Sequence, residues 1–421
     1  MVFNPVARPG DPEWRVMYLG AGDAGSGEQR DARRLNPQRL DTLAGKILRI
    51  VPDLREHTAT STVSANGRYR IPKDNPFVAM EGARPEIWAY GLRNPHRLMW
   101  DVDPAKPRDP VLFAFDIGLV SWETVQIIHK GANYGYSLRE GTQAMSATNG
   151  MGPIPEPDEI PVQISDTVTR GTIKPNYPVI QYPHTKADGG DAIANGFVYR
   201  GKRITALKNK FVFGDISTGR IWYADLADVL AADDGVAATV AQIHEFETGL
   251  RNRTEETYRT RGGKGATLPG RGAVSGGRVD LRLAMDNDGE LYVTTKSDGM
   301  IRKVVGARAI ATTTAVVQAA TTDPLAAGKK AYDTYCAPCH GNAAQGAVRA
   351  GTIISIIEEQ KGKQPPDLTD EQWDHGSTDD AIFTAIKKGV PSTMMAGYDG
   401  AISDTDIRNI VTYLRTLAQK K

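Results

Sequence analysis

"KFVFGDISTGRIWYADL" (210–226) and "ELYVTTKSDGMIRKVV" (290–305) are two versions of one sequence phrase. They align without a gap, and the alignment places Gly219 on Gly299. Each version reads as a strand, a turn with a glycine, and a second strand. The segment "GKILRI" (45–50) resembles the second strand of both. Repetition of such units predicts the blades of a β-propeller rather than a sandwich.

The rest of the first three quarters is also typical of β structure. Short apolar segments such as "WRVMYLGAGD" (14–23) lie between turn signals, in a chain with 43 glycines and 25 prolines. Residues 1–305 offer room for about four blades of repeat size rather than six. The Pro-rich segment 151–183 predicts a long surface insertion, and the Gly- and Arg-rich segment 261–278 predicts a loop.

"GAGDAG" (20–25) fits a dinucleotide-binding pattern and follows a strand-like segment. A nucleotide fold would continue with an amphipathic helix. The next residues, "SGEQRDARRLNPQ", are polar and lack the small apolar residues that pack beneath such a helix. The segment therefore predicts a turn between strands.

The sequence changes character after residue 305. Residues 306–324 are rich in Ala and Thr and predict a linker. Residues 325–421 predict a small all-α domain, with helices in "DPLAAGKKAYDTYC", "DDAIFTAIKKGVP" and "SDTDIRNIVTYLRTLAQKK". In the last of these, apolar residues repeat with helical spacing. The predicted fold is thus multidomain, with an all-β unit of propeller type followed by an α-helical unit.

"CAPCH" (336–340) contains both cysteines of the chain. C-x-x-C-H is the attachment pattern of c-type haem. Each thiol adds to one of two neighbouring vinyl groups of the porphyrin, and His340 then lies beneath the iron as its proximal ligand. A zinc site needs a second ligand pair, a thioredoxin-like redox pair needs a βαβ context, and a disulfide at this spacing would be strained. The motif therefore predicts one covalent haem held by Cys336, Cys339 and His340.

The last hundred or so residues resemble class I cytochrome c, through "GKKAYDTYCAPCHGNAAQG", "PPDL", "GVPSTMMAGY" and "IVTYLRTL". The resemblance implies that the first and last helices cross, with Gly328 and Tyr332 near Tyr413. It also implies a methionine as the sixth iron ligand, which raises the reduction potential and suits an electron acceptor.

Two neighbouring methionines are candidates for that sixth ligand. The family pattern, Thr-x-Met followed by small residues and an aromatic, places Met395 at the iron in "TMMAGY". Met394 remains the alternative, and His375 in "WDHGS" is a weaker candidate.

The first 305 residues resemble the glucose/sorbosone dehydrogenase family. The phrases are "DTLAGKILRIVPD" (41–53), "PEIWAYGLRNPHRLMWD" (85–101), "WETVQIIHKGANYGY" (122–136) and "DAIANGFVYRG" (191–201). The resemblance implies a six-bladed propeller, incomplete here, that oxidises aldoses with pyrroloquinoline quinone (PQQ) and calcium.

In these relatives the arginine and asparagine of "GLRNP" face the cofactor, which implies the same role for Arg93 and Asn94. A guanidinium suits the three carboxylates of PQQ. The alternative is that both residues only form a turn that holds two strands.

The sequence departs from the family in two places. No histidine precedes His57, so the family's general base is missing and no catalytic residue is assigned. "FDIGLVSWE" (115–123) replaces the calcium phrase Glu-His-Gly-Pro. A c-type haem is attached outside the cytoplasm, yet the first residues do not form a signal peptide. These observations predict the C-terminal part of a longer, periplasmic or otherwise exported protein.

Composition limits the partners. Lys and Arg number 51 against 50 Asp and Glu, a balance that argues against nucleic acid, and no segment predicts a membrane span. The basic segment 251–278 predicts a solvated loop. Four histidines, His96, His129, His184 and His244, have no sequence neighbour typical of a metal site, and each is interpreted as structural or exposed.

The sequence therefore predicts a haem-binding electron-transfer protein. We expect it to form part of a quinohaemoprotein that oxidises a sugar or alcohol through PQQ. Electrons would then pass through the haem to an external acceptor, another cytochrome or an oxidase. The alternative is a non-catalytic propeller module that carries an electron-transfer cytochrome c.

Overall fold

The computed structural model describes most of the chain and divides it into two compact units, Met1–Ala309 and Ile310–Lys421. Most of the predicted linker, residues 308–323, lies outside the described residues. The described residues are 1–184, 189–265, 267–270, 276–307, 324–348, 363–370, 373–391, 393, 395, 397, 398, 402 and 404–418.

The first unit is built from antiparallel sheets, and four of them follow one another along the chain. These four contain, in order, β1 (Val2–Phe3), β2 (Met17–Ala21), β3 (Lys46–Ile50) and β6 (Ile87–Tyr90); β7 (Pro95–Asp101), β8 (Val111–Asp116), β9 (Trp122–Ile127) and β15 (Ile180–Pro183); β16 (Ile193–Val198), β17 (Lys210–Asp215), β18 (Ile221–Asp225) and β19 (His244–Glu245); and β20 (Leu281–Met285), β21 (Leu291–Thr295) and β22 (Met300–Lys303).

Three smaller sheets lie in the connections. They are formed by β4 (Ser61–Val63) and β5 (Arg70–Pro72); by β10 (Arg139–Glu140), β11 (Gln143–Met145) and β12 (Met151–Gly152); and by β13 (Ile160–Gln163) and β14 (Thr169–Ile173).

The repeated phrases occupy equivalent places in three of the four main sheets. Each provides a hairpin of two neighbouring strands, and the paired residues fall at corresponding positions. The turn glycines adopt the left-handed conformation, with φ of 68°, 78° and 70° at Gly45, Gly219 and Gly299. The prediction of repeated strand–turn–strand units is confirmed, because equivalent residues of the three hairpins pair with one another in the same way. The corresponding pairs are Gly20 with Ile47, Gly214 with Ile221, and Thr294 with Ile301.

Successive sheets pack face to face, which gives the unit its propeller-like character. Strand β7 contacts β1 and β2, β16 contacts β7 and β8, and β20 contacts β16 and β17. Between the second and third sheets lies an aromatic core whose members are almost inaccessible to solvent. Each fully buried ring stabilises the fold by about 2 kcal/mol. Its rings belong to Phe113, Phe115, Tyr182, Phe211, Phe213 and Trp222.

The prediction that 151–183 is a surface insertion is wrong at its end. Strand β15 is the edge strand of the second sheet, and Ile180 and Tyr182 are fully buried. An edge strand tolerates proline because its outer N–H groups have no partner strand, so Pro183 can close β15. The proline content suggested a loop although the segment completes a sheet.

Two α-helices lie in the described part of the first unit, α1 (Leu226–Ala231) and α2 (Leu250–Thr260). Helix α2 corrects the prediction that the basic segment from residue 251 is a loop. Glu255 pairs with Arg251 and Arg259 along the helix, and such ion pairs stabilise a helix that has few apolar residues.

The second unit is helical, with α3 (Pro324–Tyr335), α4 (Ala337–His340), α5 (Asp379–Lys388) and α6 (Asp404–Ala418). All three helices expected from the sequence are present. The apolar stripe of α6 faces the core of this unit, where Ile407, Ile410, Val411 and Leu414 are buried. None of the helices in the described part of the chain is long and apolar enough to cross a membrane.

Helices α3 and α6 cross in close contact at Gly328. A Cβ atom on Gly328 would lie 1.9 Å from the carbonyl oxygen of Asn409, so only glycine permits this approach. One turn further along α3, the rings of Tyr332 and Tyr413 are 5.4 Å apart. The predicted helix crossing is confirmed, and it fixes the end of α3 from which the C-x-x-C-H motif continues.

Candidate functional site

The C-x-x-C-H motif forms one short helical turn directly after α3. The amide of Cys336 donates to the Tyr332 carbonyl at 2.8 Å, and the amide of His340 donates to the Cys336 carbonyl at 2.9 Å. Helical spacing places Cys336, Cys339 and His340 on the same side of this turn. Both thiols are free, so the sulfur atoms remain available for thioether bonds.

The imidazole of His340 is held by a backbone carbonyl. Its Nδ1 lies 3.3 Å from the carbonyl oxygen of Pro366. A carbonyl can only accept a hydrogen bond, so Nδ1 carries the proton and Nε2 keeps its lone pair for a metal. Burial lowers the pKa of His340, although the Pro366 carbonyl opposes this, so the ring is neutral at neutral pH. The tautomer therefore fits an axial ligand of haem iron.

The loop after the motif positions that carbonyl. Gly346 donates its amide to the His340 carbonyl at 2.9 Å, and Ala347 donates to the Pro365 carbonyl at 3.1 Å. A Cβ on Gly346, which has φ of 79°, would lie 2.7 Å from the amide nitrogen of Asp367. The backbone of Pro365–Asp367 thus lies directly against the loop, and the Pro366 carbonyl has a fixed direction.

The segment with the candidate sixth ligand is held by hydrogen bonds between its own residues. The Met395 amide donates to the Thr393 hydroxyl at 3.1 Å, and the Met395 carbonyl accepts from the Val390 amide at 3.0 Å. The Met395 side chain is half-buried against the apolar core that also contacts Cys336. Met394 lies outside the described residues, and His375 is exposed. Ligation of iron by Met395 remains a prediction.

Arg93 and Asn94 form the turn between the first and second main sheets. The carboxylate of Asp116, at the end of β8, accepts the amide of Arg93 at 3.2 Å and that of Asn94 at 2.6 Å. The Arg93 carbonyl in turn accepts the amide of Asp23, in the segment after β2. The turn interpretation is thus confirmed for the backbone of both residues.

The side chain of Arg93 has protein partners at both terminal nitrogens, whereas its Nε has none among the described residues. Its Nη1 donates to the Gly118 carbonyl at 2.7 Å, and its Nη2 lies 3.4 Å from a carboxylate oxygen of Glu28. Its Nε is buried and has no hydrogen-bond partner among the described residues. An unpartnered donor on a permanent cation fits a carboxylate ligand. Cofactor contacts of Arg93 and Asn94 remain predictions.

The sequence model of the glucose/sorbosone dehydrogenase family matches residues 11–254, which is more than half of the chain. The chain belongs to the glucose/sorbosone dehydrogenase family. A second model, described as cytochrome c oxidase, cbb3-type, subunit III, matches residues 323–414. A glucose/sorbosone dehydrogenase domain and a cytochrome-type domain are therefore joined in one chain.

Two curated relatives and one solved structure are among those similar to this chain. HIPL1 protein of Arabidopsis thaliana is 30% identical over 211 residues, which are 49% of this chain and 27% of that protein. Aldose sugar dehydrogenase YliI of Escherichia coli is 31% identical over 124 residues, 30% of this chain and 28% of that protein. The crystal structure of the soluble aldose sugar dehydrogenase from Escherichia coli, in the apo-form, aligns with a TM-score of 0.40 and 19% identity. That alignment covers 70% of this chain and 61% of that chain. The chain matches little more than a quarter of the length of the two curated relatives.

The glucose/sorbosone dehydrogenase domain also contains a group of buried carboxylates that the sequence analysis missed. Glu140 accepts the amides of four consecutive residues, 119–122, at 2.6–3.1 Å. Glu123 is fully buried on β9, and burial raises its pKa to about 7, while His184 opposes this. Burial likewise raises the pKa of Asp116 to about 7, against the two amides that it accepts. A carboxylate in a strand that also contains Trp122, Val125 and Ile127, as in "SWETVQII", is the sequence signal for such a site.

Two of the four histidines interpreted as structural or exposed have acidic partners in the fold. His184 Nε2 lies 3.0 Å from Glu123, and His129 Nε2 lies 2.8 Å from Asp233. Both acidic partners are distant in sequence, so spacing along the chain does not reveal these contacts. His96 contacts the Ile193 carbonyl at 2.8 Å, and His244 is exposed. Within the described ranges, no three His, Cys, Asp or Glu side chains are grouped as metal ligands would be.

Proposed function

We propose that this chain is the electron-transferring part of a quinohaemoprotein that oxidises a sugar or alcohol. One observation supports the proposal: a glucose/sorbosone dehydrogenase domain shares a chain with a C-x-x-C-H turn. In this turn the Pro366 carbonyl favours the His340 tautomer that leaves Nε2 free to bind a metal. Covalent linkage keeps an electron acceptor at high effective concentration near its donor. Attachment of a c-type haem implies an exported, periplasmic protein.

Each cofactor would be held by residues already described. Cys336 and Cys339 would form the thioethers of one haem c, and His340 and Met395 would ligate its iron. Arg93 and Asn94 would contact PQQ, and the four main sheets would correspond to blades of the family's six-bladed propeller. The chemistry that PQQ supplies when bound is two-electron oxidation of a hydroxyl-bearing carbon, with calcium as its usual companion. An external cytochrome or oxidase would then accept the electrons.

The deciding experiment is an anaerobic visible spectrum of the oxidised, haem-loaded protein before and after PQQ, calcium and an aldose are added. Growth of the reduced-cytochrome bands only when all three are present supports the proposal. A spectrum that changes with dithionite but with no combination of PQQ, calcium and aldose contradicts it.

A second candidate function is a non-catalytic propeller module that carries the cytochrome to a partner. The observation in its favour is that Arg93 already has protein partners at both terminal nitrogens, in Gly118, Ile117 and Glu28. The two functions differ in PQQ titration monitored by fluorescence of the protein. Saturable binding that is lost in Arg93→Ala supports the enzyme, and absence of binding supports the module.

A further inference from the structure

Tyr398 joins the segment that contains Met395 to the end of helix α3. Its hydroxyl donates a hydrogen bond to the Tyr335 carbonyl at 3.1 Å, and the rings of Tyr398 and Tyr335 are 6.0 Å apart in an edge arrangement. Tyr335 is the last residue of α3 and directly precedes Cys336. One side chain therefore links the segment of the candidate sixth ligand to the residue beside the C-x-x-C-H motif.

The Tyr335 carbonyl takes its donor from outside its own helix. In a continuous helix it would accept the amide of the residue four positions later, which is Cys339. That amide donates instead to the Cys336 carbonyl at 3.1 Å, where the short turn α4 begins. The hydroxyl of Tyr398 supplies the missing donor. The hydrogen bond thus caps the carbonyl end of α3.

The backbone around Tyr398 is fixed at the end of helix α5. The Tyr398 amide donates to the Ile386 carbonyl at 3.1 Å. Gly397 lies so close to the last residue of α5 that a Cβ atom there would be 2.6 Å from the carbonyl carbon of Lys388. The main chain at Tyr398 is therefore held against α5 while its side chain reaches α3.

Met395 lies between two fixed points of its segment. On one side, its carbonyl accepts the Val390 amide at 3.0 Å. On the other side, Tyr398 follows three residues later, and three residues span at most about 11 Å. The side chains of Met395, Tyr398 and Cys336 pack against the same apolar core. Loss of the hydrogen bond at Tyr398 would therefore loosen one of the two points that restrain Met395.

We propose that Tyr398 is a positioning residue, which keeps Met395 in place for the haem iron by donating its hydroxyl to the Tyr335 carbonyl. The inference rests on the proposed function, in which Met395 ligates that iron. Tyr398 acts through Met395 rather than at a reacting atom. It biases the equilibrium between bound Met395 and a state in which an external ligand replaces the thioether. Retention of the thioether in turn maintains the high reduction potential that suits an electron acceptor.

The first test measures how readily imidazole displaces Met395 in the oxidised, haem-loaded full chain. Tyr398→Phe keeps the ring and removes only the hydroxyl. Because one hydrogen bond changes an equilibrium constant by about 2- to 10-fold, imidazole should bind Tyr398→Phe about 2- to 10-fold more tightly than wild type. The long-wavelength sulfur–iron band should disappear at correspondingly lower imidazole concentrations. Equal imidazole affinities in the two proteins overturn the proposal.

Tyr335→Phe is the matched control for the same chemical change. The Tyr335 side chain is 41% exposed, and its hydroxyl has no hydrogen-bond partner among the described residues. The acceptor of the Tyr398 hydroxyl is a backbone carbonyl, which this substitution retains. Tyr335→Phe should therefore bind imidazole as wild type does. If both variants bind imidazole more tightly by the same factor, the effect comes from the ring pair in general, and the role of the Tyr398 hydroxyl is refuted.

The second test follows the segment itself and does not depend on which residue ligates the iron. Amide hydrogen exchange of the haem-loaded full chain reports on Val390 and Tyr398, whose amides donate to Met395 and Ile386. Both amides should exchange about 2- to 10-fold faster in Tyr398→Phe than in wild type, and at the wild-type rate in Tyr335→Phe. Unchanged exchange in Tyr398→Phe also overturns the proposal.

The tests separate the inference from the proposed function. If Tyr398→Phe shows the expected changes but no aldose reduces the haem of wild type, the proposed function fails and the inference stands. If an aldose reduces the haem and Tyr398→Phe binds imidazole as wild type does, the proposed function stands and the inference fails. If wild type has no sulfur–iron band, Met395 is not the ligand and the inference is overturned.

Discussion

The close approach of α3 to α6 at Gly328 gives a quantitative prediction for Gly328→Ala. The new Cβ would lie 1.9 Å from the Asn409 carbonyl oxygen and 2.5 Å from the carbonyl carbon. An ordinary carbon–oxygen contact is about 3.4 Å, so α3 must move away from α6 by about 1.5 Å. The clashing atoms belong to the backbone of a helix, which cannot rotate away as a side chain could.

The expected loss of stability follows from opposing effects. Overpacking costs about 1–3 kcal/mol, and separating the Tyr332 and Tyr413 rings costs about 1 kcal/mol more. Replacing glycine by alanine within a helix returns about 1 kcal/mol. The net destabilisation is about 2 kcal/mol, which for a unit of this size lowers the Tm by about 10 °C.

Thermal unfolding of the haem-loaded full chain, followed by Soret absorbance, reports on the haem-bearing unit alone. Lys329→Ala is the matched control, because Lys329 is the next residue of α3 and is 57% exposed. It loses only an ion pair with Asp333, so it should change the stability by less than about 0.5 kcal/mol. A Gly328→Ala protein as stable as wild type, or more stable, would refute the proposed contact between α3 and α6.

Three further predictions concern the iron ligand and the buried carboxylates. Met395→Leu should abolish the long-wavelength sulfur–iron absorption band and lower the reduction potential of the haem, whereas Met394→Leu should leave both unchanged. Burial raises the pKa of Asp116 from 3.8 to about 7, so the native state binds this proton more tightly than the unfolded state does. The free energy of unfolding should therefore fall by about 4 kcal/mol as the pH rises from about 4 to 7. Asp116→Asn has one fewer acceptor oxygen for the amides of Arg93 and Asn94 but does not titrate, so urea unfolding should show that its stability relative to wild type rises as the pH rises from 4 to 7. Glu140→Gln leaves one fewer acceptor oxygen for the amides of residues 119–122. The same assay should show a free energy of unfolding that is lower by about 2–4 kcal/mol, and proteolysis in that loop should be faster.

Features with a local cause were predictable from the sequence. The repeated phrases, the turn glycines and the three expected helices in the second unit all depend on residues that are near one another in the chain. The contact of Gly328 and Tyr332 with Tyr413 is long-range and does not follow from spacing alone. It was predicted because the resemblance to class I cytochrome c supplied it.

Two of the features that were missed depend on contacts between distant segments. The carboxylate of Glu123 is recognisable only when β15 brings His184 beside β9. Helix α2 is different, because its signal is local: it has little apolar periodicity, but Glu255 lies four residues from Arg251 and from Arg259, the spacing of ion pairs along a helix. Strand β15 was obscured because proline suggests a loop, and only its edge position in the sheet makes Pro183 acceptable.

The buried carboxylates near Arg93 offer a way to distinguish the two candidate functions. Asp116, Glu123 and Glu140 are buried there, and each holds backbone amides in place. Ionised, they oppose a cofactor with three carboxylates, and Arg93 is the cation that offsets them. Burial raises the pKa of Asp116 and Glu123 to about 7, so both become neutral as the pH falls below 7. The affinity for PQQ should therefore increase as the pH is lowered through 7. If the domain instead docks a partner through an outer surface, its affinity should not depend on the protonation of Asp116 and Glu123.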